Sequence, residues 1–227
     1  VTELVVSEVF GPTFQGEGPS VGRRAGFVRL GRCNLACTWC DTAYTWDWSR
    51  YDPAVELHRR SVADVVAAVE AMDVPMVVIT GGEPLLQQRG LAELLPALSP
   101  RRIEVETAGT LAPTAEVVAG VDQFNVSPKL ANSGNALEQR HRPDVLRAFE
   151  STGKAVFKFV CASVADLDEV ASVVVECSLT SVWVMPEGTS AEVVRERMGV
   201  LVEPVLARGW NLTPRLHVEL WGDKRGV

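Results

Sequence analysis

From Ser61 to Pro84 the sequence reads SVADVVAAVEAMDVPMVVITGGEP. Ser61, with Asp64 three residues on, makes a capping-box-like helix start, and Val62, Val65, Val66, Val69 and Met72 then recur at helical spacing. Met76 to Thr80 follows as an unbroken run of the kind a doubly covered strand shows, and Gly81-Gly82 stops it. A helix that delivers the chain into a buried strand is the repeating unit of a parallel sheet covered by helices.

The same rhythm extends in both directions. Downstream, Ile103 to Glu106, Gln123 to Val126, Ala155 to Val160 and Ser181 to Met185 read as strands, with helical segments near 86–98, 114–119, 143–152, 165–176 and 190–208. Upstream, Leu4 to Val9 opens as a strand, a Gly-rich loop follows, and Phe27 to Leu30 is a second strand; Leu216 to Leu220 reads as a closing strand. Six such units are too few for a closed eightfold barrel, and no Gly-x-Gly-x-x-Gly fingerprint marks a dinucleotide fold. The expected fold class is therefore α/β, a partial (open) βα barrel of about six parallel strands. No low-complexity linker divides the chain, so residues 1–227 are expected to form one domain. Asp41 to Arg60, rich in Trp and Tyr, and the polar Leu130 to Arg142 match neither period and are expected as loops near the working face.

Composition narrows the function classes. Twenty-two Lys and Arg stand against 29 Asp and Glu, a net charge of −7, with 18 Gly, 13 Pro and 47% apolar residues. A protein that neutralises many phosphates carries the opposite balance, so no nucleic acid is expected as principal ligand. No apolar run approaches the roughly 20 residues that cross a bilayer, so no membrane partner is expected. Val1-Thr2-Glu3-Leu4 lacks a basic n-region, so secretion is not expected and a cytoplasmic location is.

Three of five cysteines fall together in Cys33-Asn-Leu-Ala-Cys37-Thr-Trp-Cys40, directly after a predicted strand. Clustered thiols in a cytosolic chain point to metal or redox chemistry. Three thiolates can hold three irons of a cubane [4Fe-4S] cluster and leave the fourth open. A structural zinc site would need a fourth ligand, and His58, the nearest histidine, lies at no common zinc spacing. Thr80-Gly81-Gly82-Glu83-Pro84 is a second signal: after a strand, paired glycines let backbone approach a ligand, although alone the motif is also a turn before a helix that starts at Pro. Polar residues recur at strand ends, at Arg32-Cys33, Thr80 to Glu83, Glu106-Thr107, Ser127 to Lys129 and Pro186-Glu187. In βα barrels that end carries the active site.

The Cys-x3-Cys-x2-Cys loop and the Gly-Gly-Glu-Pro motif together resemble the radical S-adenosylmethionine superfamily. The resemblance implies a [4Fe-4S] cluster held by Cys33, Cys37 and Cys40, with S-adenosylmethionine on the open iron, cleaved by one electron to a 5′-deoxyadenosyl radical. Trp39 matches the aromatic residue that lies near the adenine. Phe14-Gln15-Gly16-Glu17-Gly18, Gly26 to Arg29, Trp39-Cys40-Asp41-Thr42, Glu106-Thr107, Ser127-Pro128-Lys129 and, more weakly, Leu216 to Gly222 resemble the 7-carboxy-7-deazaguanine synthase family.

That family resemblance implies conversion of 6-carboxy-5,6,7,8-tetrahydropterin into 7-carboxy-7-deazaguanine with loss of ammonia, toward queuosine and other 7-deazapurines. It also implies a homodimer, Mg2+ and a flavodoxin- or ferredoxin-type electron donor. Carried over residue by residue, the substrate set is Phe14, Gln15, Gly16, Glu17, Arg29 and Thr80. The S-adenosylmethionine set is Trp39, Cys40, Asp41, Gly82, Glu106, Ser127, Pro128 and Lys129, and Thr42 is the Mg2+ ligand. No side chain is assigned as a catalytic acid or base. The chemistry suits these types: Arg29 offers a planar fork for the pterin carboxylate, and Glu17 opposite a 2-amino group makes a charge-assisted contact. Read without the resemblance, Gln15 to Glu17 is a loop between strands and Thr42 a turn residue. Lys158, Cys161 and Cys177 belong to no motif, and the two cysteines read as small buried side chains. A glycyl-radical activating enzyme and a non-catalytic zinc module are the competing readings.

Overall fold

The computed structural model describes residues 2–227. β1 (Glu3–Phe14) and β2 (Arg24–Leu30) pair antiparallel, then α1 (Pro53–Glu56) leads into β3 (His58–Ser61), which pairs antiparallel with the other side of β1. From there helix and strand alternate: α2 (Val62–Glu70), β4 (Met76–Gly81), α3 (Gln88–Ala97), β5 (Arg102–Thr107), α4 (Ala115–Gly120) and β6 (Gln123–Val126). α5 (Leu137–Arg140) and α6 (Pro143–Ser151) precede β7 (Ala155–Cys161); α7 (Asp166–Cys177), β8 (Val182–Pro186), α8 (Ala191–Ala207), β9 (Asn211–Leu212) and α9 (Leu216–Trp221) complete the chain. The strands form one sheet in the order β3-β1-β2-β4-β5-β6-β7-β8-β9. Every pair from β2 to β9 is parallel, and the sheet does not close. The expected open, mostly parallel α/β sheet is what forms.

Local chemistry explains the elements. Ser61 and Asp64 exchange both hydrogen bonds of a capping box at the start of α2. Thr114 and Ser190 cap α4 and α8 through their hydroxyls. The helix-side core takes alternate residues of each strand, among them Val28, Leu30, Val77, Ile79, Val105, Phe124, Phe157 and Val184. Cys161 and Cys177 lie in that core, as expected of small buried side chains.

Four expectations need correction. The opening strand runs to Phe14 rather than Val9, because register shifts between Val6 and Glu8 and between Phe10 and Thr13 carry the ladder through Gly11-Pro12. Asp41 to Arg60 is not all loop: Asp52 caps α1, and His58-Arg59-Arg60 enters an edge strand whose polar side chains hide it from a hydropathy reading. Leu130 to Arg142 likewise holds a 3-10 turn at Ala131–Ser133 and the helix α5. Leu216 to Leu220 is helix α9, not a strand. Five residues alternating apolar and polar are too few to separate the two periods, and Gly222, at φ 66°, ends the helix.

Phe124 and Phe149, both fully buried, meet edge to face at 5.2 Å between β6 and α6. Phe149→Ala is expected to cost about 3–5 kcal/mol in urea unfolding. Val175→Ala, on a helix side chain 79% exposed, should stay within about 0.5 kcal/mol of wild type.

Candidate active site

The carboxyl ends of the parallel strands open into a cavity of about 230 Å3. Strand alternation decides what reaches it. The core-facing residues just named alternate with Arg29 on β2, Thr80 on β4, Glu106 on β5, Asn125 on β6 and Lys158 on β7, all of which line the cavity. Ser127, one residue past β6, continues the series.

One wall is built by the junction of β2 with β4. After Leu30, Arg32 adopts a left-handed conformation (φ 74°) and turns the chain into the cysteine loop. Beside it, the Gly82 amide donates to the Leu30 carbonyl at 3.0 Å and the Glu83 amide to the Arg32 carbonyl at 2.9 Å. A Cβ on Gly81 would sit 2.0 Å from the Leu30 oxygen, and one on Gly82 2.1 Å from the Arg32 oxygen. Both glycines are therefore demanded by contact, and Gly81 (φ 138°) also by conformation. Glu83 is fully buried: its carboxylate accepts from the Leu85 amide (3.0 Å), the Ala108 amide (2.8 Å) and the Thr107 hydroxyl (2.9 Å), tying the glycine loop to β5. Burial nevertheless holds its pKa above the usual carboxylate value.

Cys33, Cys37 and Cys40 are free thiols that line one end of the cavity. Each sulfur accepts an N–H: the Leu35 amide donates to Cys33 Sγ (3.4 Å), Asn135 Nδ2 to Cys37 Sγ (3.2 Å) and Trp46 Nε1 to Cys40 Sγ (3.3 Å). Burial pushes the Cys33 thiol up to about 12 and raises that of Cys37. Trp39 donates from Nε1 to Asn132 Oδ1 (3.2 Å), and the Lys129 ammonium lies 5.6 Å over its ring while bonding the Ser127 hydroxyl at 2.9 Å.

A further part of the cavity lining is polar and mutually bonded. Glu106 accepts from Gln15 Nε2 at 3.1 Å and from the Thr80 hydroxyl at 2.7 Å. Glu17 accepts a short hydrogen bond from the Lys158 ammonium and another from Arg215 Nε at 3.2 Å. Arg215 reaches on to Asp41 and to the Gly188 carbonyl. Burial would raise the Glu17 carboxyl, but Lys158, Arg215 and His217 outweigh it and hold the group far below its ordinary range. Burial in turn lowers His217 from its ordinary value. Arg29 donates from Nε to Glu8 at 2.6 Å.

All the expected site residues except Pro128 line this one cavity, with Gly81, Lys158, Met185, Glu187, Arg215 and His217 in addition. The sequence reading passed over Lys158, whose signal is a lone charge between Phe157 and Phe159 in a buried strand. It also passed over Arg215 and His217; the second lies in Leu216 to Leu220, which reads as a strand, and the first directly precedes it. His217 packs over Gly16, where a Cβ would lie 2.1 Å from Nδ1, and the Leu216 amide bonds the Gly16 carbonyl at 2.8 Å.

Residues 28–151 match the Radical SAM superfamily. A 7-carboxy-7-deazaguanine synthase of Pyrobaculum aerophilum is 40% identical over 97% of this chain and 96% of its own length. The chain belongs to the radical SAM superfamily, in its 7-carboxy-7-deazaguanine synthase family. The synthase of Halobacterium salinarum is 34% identical, covering 97% of this chain and 91% of its own. Among solved structures, QueE from Escherichia coli superposes with a TM-score of 0.72 at 25% identity, over 95% of both chains. Streptococcus suis SuiB shares the fold, with a TM-score of 0.54 at 16% identity over 81% of this chain and 47% of its own.

This radical SAM family implies a [4Fe-4S] cluster and S-adenosylmethionine, and the cysteine loop fits the cluster. Among the described residues no three His, Cys, Asp or Glu side chains converge as a single-ion centre requires. A cubane instead spreads its thiolates over separate irons and gains from N–H donors to sulfur, as here. The structure offers the zinc-module reading no ligand set.

Glu17→Gln should destabilise the fold by about 3–5 kcal/mol in urea at pH 7, because Lys158 is left buried without a carboxylate and Arg215 keeps only Asp41. Since the folded carboxyl lies below its ordinary 4.5, that advantage is complete above the ordinary value and lost as pH falls through the folded one. The gap between wild type and Glu17→Gln should therefore narrow below about pH 4.5.

Proposed function

We propose that this radical SAM enzyme converts 6-carboxy-5,6,7,8-tetrahydropterin into 7-carboxy-7-deazaguanine with loss of ammonia, all of residues 1–227 acting as one catalytic domain. The observation that carries this reading is the convergence of two sets of residues on one cavity: the cysteine and glycine loops, and Gln15, Glu17, Arg29 and Thr80. Bound at Cys33, Cys37 and Cys40, the cluster with S-adenosylmethionine supplies a carbon-centred radical able to take a hydrogen atom.

The remaining work falls to the chain. Arg29 uses Nε on Glu8 and keeps its terminal nitrogens, which make no hydrogen bond among the described residues, for the substrate carboxylate. Glu17, held ionised by two cations, accepts from the 2-amino edge, and Gln15 and Thr80 bond the ring oxygen and nitrogens from the Glu106 side. Gly82, Ser127, Lys129, Trp39 and Asp41 bind S-adenosylmethionine. Pro128 lies off the cavity wall, and its part is to bend the chain between its two neighbours. Buried apolar side chains around the cysteines, Leu35 and Ala108 among them, exclude water and competing hydrogen donors. Thr42, on the cavity wall beside Cys40, offers one oxygen to Mg2+, which keeps water and substrate oxygens for its other positions. The working form is a cytoplasmic homodimer reduced by a flavodoxin- or ferredoxin-type donor. No helix is long and apolar enough to cross a membrane among the described residues.

Anaerobic incubation of the reconstituted protein with the pterin, S-adenosylmethionine and a reductant should yield a deazapurine chromophore. A glycyl radical on a partner protein without that chromophore would overturn the reading. Arg29→Lys should raise KM for the pterin about tenfold or more, the ~1.4 kcal/mol of a lost bidentate contact. Thr42→Ala should weaken the response to Mg2+ and leave cluster absorption intact; indifference of wild type to Mg2+ would remove the metal from the scheme.

A further inference from the structure

The two stretches that matched neither helix nor strand period both bond the cysteine loop. Three residues of the 130–135 turn each take a donor from that loop. Asn132 Oδ1 accepts from Trp39 Nε1 (3.2 Å), the Ser133 carbonyl from the Thr38 amide (3.0 Å), and Asn135 Oδ1 from the Ala36 amide (2.9 Å). The last bond fixes the Asn135 amide: with its oxygen committed to Ala36, its nitrogen faces Cys37 Sγ at 3.2 Å. In the other stretch, Trp46 follows the 3-10 turn Ala43–Thr45 and aims its indole N–H at Cys40 Sγ, 3.3 Å away. The Thr42 hydroxyl is 3.6 Å from the same sulfur. Cys33 has only a backbone donor, Leu35, supplied by the loop itself.

Hydrogen bonds to cluster sulfurs stabilise the more electron-rich, reduced state and raise the reduction potential. We propose that Trp46 and Asn135 are positioning residues of this enzyme that set the reduction potential of its cluster, each through one N–H donated to one thiolate. The inference rests on the family's cluster and is independent of which substrate is turned over. It assigns a task to two segments that carry no cluster ligand.

The test is an EPR-monitored redox titration of anaerobically reconstituted protein without S-adenosylmethionine, comparing wild type with Trp46→Phe, Asn135→Ala and Asn34→Ala. Asn34 lies in the cysteine loop but bonds Thr110, 2.9 Å away, rather than a sulfur, so it reports general loosening of the loop. With iron and sulfide content equal to wild type, Trp46→Phe and Asn135→Ala should each lower the reduced-to-oxidised ratio at fixed potential about threefold to tenfold, the span of one net hydrogen bond. A tenfold change is 59 mV for one electron. Asn34→Ala should titrate with wild type. Unchanged potentials in loaded Trp46→Phe and Asn135→Ala, or an equal drop in Asn34→Ala, would overturn the proposal. Should neither variant load a cluster, resonance Raman of wild type decides: solvent deuteration must shift the iron–thiolate bands, and their indifference to deuterium would overturn it. A wild type that reconstitutes no [4Fe-4S] cluster would instead overturn the cluster assignment itself.

Discussion

The site depends on the contact between the ends of β2 and β4. Gly81 and Gly82 press their backbone against Leu30 and Arg32 at separations that admit no side chain. That approach brings the cysteine loop and the glycine loop, 40 residues apart in sequence, to one edge of one cavity. Glu83 then fastens the assembly to β5 with a carboxylate wholly committed to protein donors. The family motif thus joins two tasks: its glycines create proximity, and its glutamate holds that proximity against the neighbouring strand.

A second feature is the charge balance inside the cavity. The chain carries −7 overall, yet the cavity is lined by four carboxylates, Glu17, Asp41, Glu106 and Glu187, and four cations, Arg29, Lys129, Lys158 and Arg215. Glu17, Asp41, Lys158 and Arg215 pair with one another, Arg29 pairs with Glu8 and Glu187 with Arg197, which limits the cost of burying them. Such pairing leaves each group fixed in orientation as well as in charge. Arg215 is the pivot, because it bonds the substrate-side Glu17 and the cluster-side Asp41 at once.

The sequence made legible what is periodic or spaced. Apolar runs between helical segments marked six of the seven parallel strands, Ser61 and Asp64 marked the start of α2, and the cysteine spacing marked the loop that belongs to the cluster. What it hid obeys no period. β3 is a strand made of His58, Arg59, Arg60 and Ser61, polar residues at an exposed edge that carry no hydropathy signal. The 130–135 turn is read by nothing local, since its donors and acceptors are satisfied across almost a hundred residues of sequence. Lys158 could have been noticed as a charge in an apolar strand, but its partner Glu17 lies 141 residues away. His217 was obscured by a five-residue alternation that suits a strand and a helix equally well, and Arg215 stands just before it with no motif of its own.

The sheet finishes in two unlike ways. At one border β3 is four residues long and presents two arginines to water; at the other β9 contributes two residues and stops. Short or charged borders give an incoming strand little to zip onto, a common guard against amyloid-like growth. A neighbouring molecule would have to dock through side chains on helices and loops, so the open architecture is kept without the adhesive rims that such openness ordinarily brings.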